Sequence, residues 1–226
     1  MSDTTLIEPG DAIHPGDPPT VERYRLGARV NHWITAVAMV LLVLSGLALY
    51  HPWFFFLTVL FGDGQTTRTL HPFIGVILAA SFVVLFIQFW RANMWTGSDT
   101  AWAKNLGDLV GGREDKMPEQ GKFNAGQKFV FWAMAIGILV LFSSGLVIWD
   151  RYFFDMTTIS SKRIAELVHS LAALGVILVL ILHVYAAIWV RGSFHAMLTG
   201  KVSAAWAWRH HRKWFRALAN KAGPAE

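Results

Sequence analysis

Four histidines, His32, His71, His169 and His183, lie inside long charge-free apolar segments. Imidazole is the commonest protein ligand for metals, and an ionisable side chain within a membrane segment defaults to a functional reading. The last two bracket the stretch HSLAALGVILVLILH, fourteen residues apart, with only apolar, small or hydroxylic residues between them. On an α-helix fourteen residues rise about 21 Å, and the accumulated rotation returns to within about 40° of the starting face. Both imidazoles therefore project from one side of one helix, near opposite faces of a bilayer whose hydrocarbon core is about 30 Å thick. The chemistry this suggests is axial ligation of b-type haem, one iron at each depth. Cysteine is absent, which excludes covalent c-type haem and disulfides and argues against an iron–sulfur cluster in this chain.

The elements that must position these residues are membrane helices. The chain is 54% hydrophobic, with eleven Trp among 226 residues, too apolar for a soluble domain. Its charge-free runs are Val30–Gly62, Thr69–Trp90, Phe129–Trp149 and Leu167–Val190, each able to hold one span of about 20 residues. No ten-residue alternation of the barrel kind appears. The expected fold is an all-α membrane protein, a four-transmembrane-helix bundle binding two b-type haems, with a C-terminal amphipathic helix on the cytoplasmic side. Residues 1–22 read as a flexible cytoplasmic arm, 23–192 as the dihaem domain and 193–226 as a basic surface helix and tail. The arm is polar and proline-rich, the opposite of a signal peptide.

Charge sets the topology. Placing the N-terminus inside puts 16 of the 20 Lys and Arg on the cytoplasmic side, leaving only Arg68, Arg151, Lys162 and Arg163 outside. The positive-inside rule then gives both termini cytoplasmic. The formal charge of +5 is explained by these flanking residues, so no nucleic-acid partner is expected.

Helix one is expected over about Val30–Tyr50 with His32 in its first turn, and the run from His51-Pro52-Trp53 onward as an interfacial loop. Helix two should begin near Leu70-His71-Pro72, since proline suits a first helical turn. Helix three, Phe129–Trp149, has no histidine or charge, and Ser143, Ser144 and Gly145 offer a close-packing patch. Helix four runs from about Ile164 to Val190. Helix direction then sorts the histidines into two depths, His32 with His183 inside and His71 with His169 outside. One such histidine alone is ordinarily a snorkelling interfacial side chain; two pairs at two levels favour ligation between facing helices. Gly46, fourteen residues after His32, would let a macrocycle approach the backbone, or simply serve helix packing.

The other histidines, His14, His51, His195, His210 and His211, fit ordinary surface roles. Residues 204–218 read as one amphipathic helix, with Arg209, Arg212, Lys213 and Arg216 opposite Ala207, Trp214, Phe215 and Leu218, suited to an anionic leaflet or a partner. In the loop 91–128, Trp102, Leu106, Leu109 and Val110 would share a face of one short helix. The segment Lys122–Lys128, KFNAGQK, admits two readings: Asn124 as a helix N-cap, or an amide near the inner haem that binds a carbonyl oxygen.

Together Asn31-His32-Trp33, Leu70-His71-Pro72, KFNAGQK and His169…His183 resemble the cytochrome b (γ) subunit of membrane-bound respiratory formate dehydrogenases, over roughly Arg23 to the basic tail. The intervals of 39 and 14 residues match as well. The resemblance implies that His71 and His169 hold an outer haem b and His32 and His183 an inner one. It also implies a quinone site (ubiquinone or menaquinone) at Asn124, Gly126 and His183, to which we add Gln127. Its implied partners are an iron–sulfur β subunit and a molybdenum- or tungsten-containing α subunit that oxidises formate, in a higher-order oligomer of the complex, within the bacterial inner membrane and in contact with its lipids and quinone pool.

The expected mechanism is a wire, from an external iron–sulfur donor through the outer and inner haems to quinone on the cytoplasmic side. Carrying each electron inward works against the membrane potential at about 2.3 kcal/mol per 100 mV, so the donor must be strongly reducing. Hydrogen satisfies that as well as formate does, and a cytochrome b of a quinone-linked hydrogenase is the alternative. A rival of another class is a transporter whose intramembrane histidines bind a transition metal or relay protons; metal binding would gather the histidines at one depth, whereas here they divide between two.

Overall fold

The computed structural model describes residues 7–113 and 117–222. In chain order the elements are β1 (Ala12–His14), β2 (Thr20–Glu22), α1 (Leu26–Tyr50), a 3-10 helix Pro52–Phe61, α2 (Gly64–Phe89), α3 (Gly97–Lys104) and α4 (Leu106–Val110). They continue with α5 (Ala125–Ile148), α6 (Asp150–Phe153), a 3-10 turn Phe154–Met156, α7 (Ile159–Trp189), α8 (Ser193–Thr199), β3 (Lys201–Ser203), α9 (Ala204–His210) and α10 (Arg212–Ala222). Four of these, α1, α2, α5 and α7, are long and apolar enough to cross a membrane. The protein is an all-α membrane protein with one small appended sheet.

Three of the long helices begin earlier than their apolar runs because polar residues start them. Asp63 Oδ1 accepts from Thr66 N at 2.6 Å at the head of α2. Thr158 and Ser161 exchange backbone-to-hydroxyl bonds at the head of α7. Asn124 does the same for α5, as described below. Pro72 consequently lies inside α2 rather than in its first turn, a correction to the expected start. His71 sits seven residues in, about 10 Å along the helix from Gly64.

Two compact units divide the chain. One holds residues 30–87 and 133–182. Its helices meet through small residues: an ideal Cβ on Gly137 of α5 would lie 2.4 Å from Val176 Cγ2 of α7, so the valine seats directly on the glycine backbone. Between α1 and α2, Asn31 donates to Ser81 O at 2.9 Å and Thr35 shares a 2.6 Å bond with Ser81 Oγ. The aromatic run Trp53–Phe56 in the 3-10 helix stays exposed.

The other unit holds residues 1–29, 88–132 and 183–226. Within the segment 1–22, expected as a flexible arm, residues 12–22 form a hairpin: β1 pairs with β2, and β2 pairs antiparallel with β3, Val21 opposite Val202. The expected single helix 204–218 is also corrected. It breaks at His211 into α9 and α10, and its apolar residues Ala207, Trp214 and Leu218 bury against Val21, Ala196 and Val202 rather than facing a membrane. The apolar stripe was legible; its occupant is the chain's own hairpin. Of the basic stripe, Arg212 and Arg216 pair with Glu119 at 3.6 and 2.9 Å and stack over Trp208.

Polar ties lock this core. Lys122 Nζ reaches Glu8 at 2.5 Å and Asp11 at 2.6 Å, and Trp214 Nε1 donates to Asp11 Oδ2 at 2.9 Å. Arg23, 2% exposed, donates to Lys122 O and stacks near Trp206 and Trp214. His211 Nδ1 donates to Gly121 O at 2.7 Å while Nε2 accepts from Arg23 at 3.3 Å. Burial, with the Arg23 charge beside it, holds the His211 pKa well below the usual imidazole value. Gly200 must be glycine: it ends α8 at φ +86, and a Cβ there would lie 2.5 Å from Tyr24 O. The expected helix through Trp102 and Val110 is likewise two helices, α3 and α4, broken at Asn105, which caps α3; the side chains of Leu109 and Val110 lie outside the described residues.

Candidate functional site

His71 on α2 and His169 on α7 are brought together. Their ring centres lie 6.3 Å apart and their planes make an angle of 65°. Both rings are half-buried. Each Nδ1 is tied to a serine: Ser45 Oγ of α1 lies 2.7 Å from His71 Nδ1, and Ser144 Oγ of α5 lies 3.0 Å from His169 Nδ1. A glycine follows each serine, and a Cβ on Gly46 or Gly145 would come within 3.4 or 3.5 Å of the adjacent ring's Cε1. The glycines thus keep the space beside both imidazoles clear.

This spacing fits a metal between the rings. Two metal–imidazole bonds of about 2 Å each, with about 1 Å more from each ligating nitrogen to its ring centre, separate the ring centres by about 6 Å. Among the described residues no three His, Cys, Asp or Glu side chains gather to hold an ion. A lone facing pair suits an iron whose four equatorial ligands come with a macrocycle, as in haem.

His32 occupies α1 next to Trp33, ring centres 5.7 Å apart and edge to face. Its neighbour Asn31 is the residue bonded to Ser81, so α1 is fixed against α2 just where the imidazole emerges. His183 lies on α7 fourteen residues beyond His169, in the unit that also holds the Lys122–Lys128 segment. Both are half-buried.

In that segment the capping reading of Asn124 is what the structure shows. Asn124 Oδ1 accepts from Gln127 N at 2.9 Å, and Gln127 Oε1 accepts from Asn124 N at 3.0 Å, a reciprocal capping box at the start of α5. The box uses both amide oxygens, which leaves the Nδ2 and Nε2 groups as donors. Gly126 between them faces Trp102: a Cβ would stand 3.4 Å from the indole and 3.4 Å from Asn124 Oδ1. One turn on, buried Lys128 bonds Asp99 Oδ2 at 2.6 Å and Met94 O at 3.0 Å, clamping α3 onto α5. Trp132 Nε1 donates to Asn93 O at 2.9 Å.

The remaining histidines stay apart from these positions. His14 pairs with Glu22 at 3.3 Å and His51 caps the 3-10 helix through Trp53 N. Sequence reading missed Ser45 and the specific task of Ser144. The signal was there: a Ser-Gly pair stands on the helix before each of the two histidine helices, 26 residues ahead of His71 and 25 ahead of His169.

A family model described as prokaryotic cytochrome b561 matches residues 23–200. The chain is 42% identical over 199 residues to "Formate dehydrogenase, cytochrome b556(fdo) subunit" of Escherichia coli strain K12, covering 88% of this chain and 93% of that one. It is 34% identical over 194 residues to "Formate dehydrogenase, cytochrome b556 subunit" of Haemophilus influenzae, covering 86% and 82%. A third relative, the nitrate-inducible cytochrome b556(Fdn) subunit of Escherichia coli, is 36% identical over 190 residues, covering 84% and 88%.

Proposed function

The chain belongs to the prokaryotic cytochrome b561 family, and from that membership we propose that it is the membrane cytochrome b subunit of a formate dehydrogenase. In that role it takes electrons from an iron–sulfur subunit served by a molybdenum or tungsten formate-oxidising subunit, and delivers them to quinone. The observation that carries the reading is the facing His71–His169 pair. Bound haem supplies a one-electron carrier at a fixed place in the membrane.

This chain's residues do the rest. His71 and His169 hold one haem from facing helices. His32 and His183 are assigned to the second from their sequence positions, His183 being fourteen residues along α7 from His169. Asn124, Gly126, Gln127 and His183 form the quinone site: the two amide nitrogens donate to a quinone carbonyl oxygen, and the missing Cβ at Gly126 lets the Trp102 indole close against the backbone. The clamp of Lys128 on Asp99 holds this segment rigid. The distribution of Lys and Arg supports a cytoplasmic quinone site, both termini cytoplasmic, and an inner-membrane location. Quinol formed there takes its protons from the cytoplasm while formate releases its own outside, so turnover builds membrane potential.

The test is a reduced-minus-oxidised spectrum with pyridine haemochrome analysis of the purified chain. Two non-covalent b haems per chain are expected; one, or none, overturns the dihaem assignment.

A further inference from the structure

Ser45 and Ser144 are buried, at 0% and 7% exposure, and neither belongs to the ligand set. Each hydroxyl makes the same two kinds of contact. Ser45 Oγ donates to Leu41 O at 2.8 Å and Ser144 Oγ donates to Val140 O at 2.7 Å, four residues back along their own helices. A backbone carbonyl has no proton to give, so the single hydroxyl hydrogen is spent on it. Toward the imidazole, each Oγ therefore acts as acceptor. Nδ1 of His71, at 2.7 Å, and of His169, at 3.0 Å, must be the protonated nitrogens.

We infer that Ser45 and Ser144 are paired positioning residues that fix His71 and His169 in the Nδ1–H tautomer, present both Nε2 lone pairs to the outer haem iron, and lower that haem's midpoint potential. This rests on the proposed assignment of the two histidines as axial ligands. A hydrogen bond from Nδ1–H raises the basicity of the opposite nitrogen. A more basic axial ligand stabilises ferric over ferrous iron, and hydrogen bonding around the ligands is one of the protein's levers on haem potential. Because both ligands of one haem are treated alike, the two effects act in the same direction. The arrangement is also repeated in the chain: a Ser-Gly pair on α1 serves the histidine of α2, and a second on α5 serves the histidine of α7. A lower outer potential favours electron flow toward the inner haem.

The experiment is an optical redox titration, with EPR of the oxidised state, on the intact complex carrying Ser45→Ala, Ser144→Ala or both. The expected result is two haems retained, one midpoint raised and its low-spin ferric signal shifted, the other midpoint unchanged, and a larger shift in the double variant. Ser45→Thr keeps a hydroxyl that bonds back to the same carbonyl and should restore the wild-type potential. If Ser45→Ala loses a haem while Ser45→Thr keeps it at the wild-type potential, the inference stands; loss in both variants overturns it, because packing alone then explains the serine. Wild-type potentials and signals in both alanine variants overturn it as well. The ligand assignment fails separately: a His71→Ala protein that keeps both haems removes that premise, whatever the serine variants show.

Discussion

His71 and His169 come from different helices and distant parts of the sequence, yet their ring centres stand 6.3 Å apart with a serine on each Nδ1. Substituting either should therefore give the same phenotype. His71→Ala and His169→Ala are each expected to lose one haem, with the same spectral component missing, and to retain the other. His32→Ala should lose the component that those variants keep. Difference spectra of the three variants check this, and a common loss in His71→Ala and His32→Ala would show the pairing to be wrong.

The hairpin of residues 12–22 is held by a buried charge cluster. Lys122 and Asp11 have side chains 3% and 2% exposed, and Asp11 also accepts from Trp214. Asp11→Ala leaves the ammonium with Glu8 alone and the indole N–H without its acceptor. Breaking a buried pair by removing one partner costs about 3 kcal/mol at the lower end of the usual range. The expected outcome is rapid cleavage by protease within the N-terminal segment at concentrations the wild type resists, with the haem spectrum retained. Equal resistance in variant and wild type would contradict the anchoring role.

His211 makes the same unit sensitive to acid. Its folded pKa is depressed, so the folded state keeps the ring neutral where the unfolded chain, titrating at about 6.5, begins to bind a proton. The contribution to stability is fully present above about pH 6.5 and is lost as the pH falls from there toward the folded pKa, at a rate approaching about 1.4 kcal/mol per pH unit. Thermal unfolding of the purified protein between pH 8 and pH 5 should show a declining midpoint, and His211→Gln should flatten the slope below pH 6.5. An equal slope in the variant would place the acid sensitivity elsewhere.

The four spans, and the histidines that face each other on α2 and α7, were legible because membrane helices advertise themselves: an apolar run of fixed length, and a polar group inside it that needs a reason. The helix starts were less legible. They depend on single capping side chains such as Asp63 and Thr158, which leave no trace in hydropathy. Least legible was the small core that residues 7–22 and 193–222 build together. It joins Val21 to Trp214, nearly two hundred residues apart, through strands of three residues each. An amphipathic stripe in sequence shows that a face is covered and not by what; here the hairpin covers the face that sequence alone assigned to a lipid surface or a partner. Ser45 and Ser144 were hidden for another reason, since a serine bonded back to its own helix looks like packing until the histidine beside it is placed.

Asn124 offers the sharpest separation of function from stability. Its oxygen is committed to Gln127 N in the capping box, whereas its Nδ2 is the group proposed to meet the quinone. Asn124→Ala removes both. Asn124→Ser keeps a capping oxygen of nearly equal strength and removes only the amide donor. A hydrogen bond to a carbonyl oxygen that gains negative charge on reduction is worth about 1.5–3 kcal/mol, roughly a ten- to hundredfold slowing where it acts in the transition state. Both variants should therefore slow formate-to-quinone turnover by that factor while formate-to-haem reduction stays at the wild-type rate. Only the alanine should also cost about 1 kcal/mol of stability at the start of α5. If the serine variant turns over quinone at the wild-type rate, the residue is a cap alone and the quinone site must be sought elsewhere on the chain.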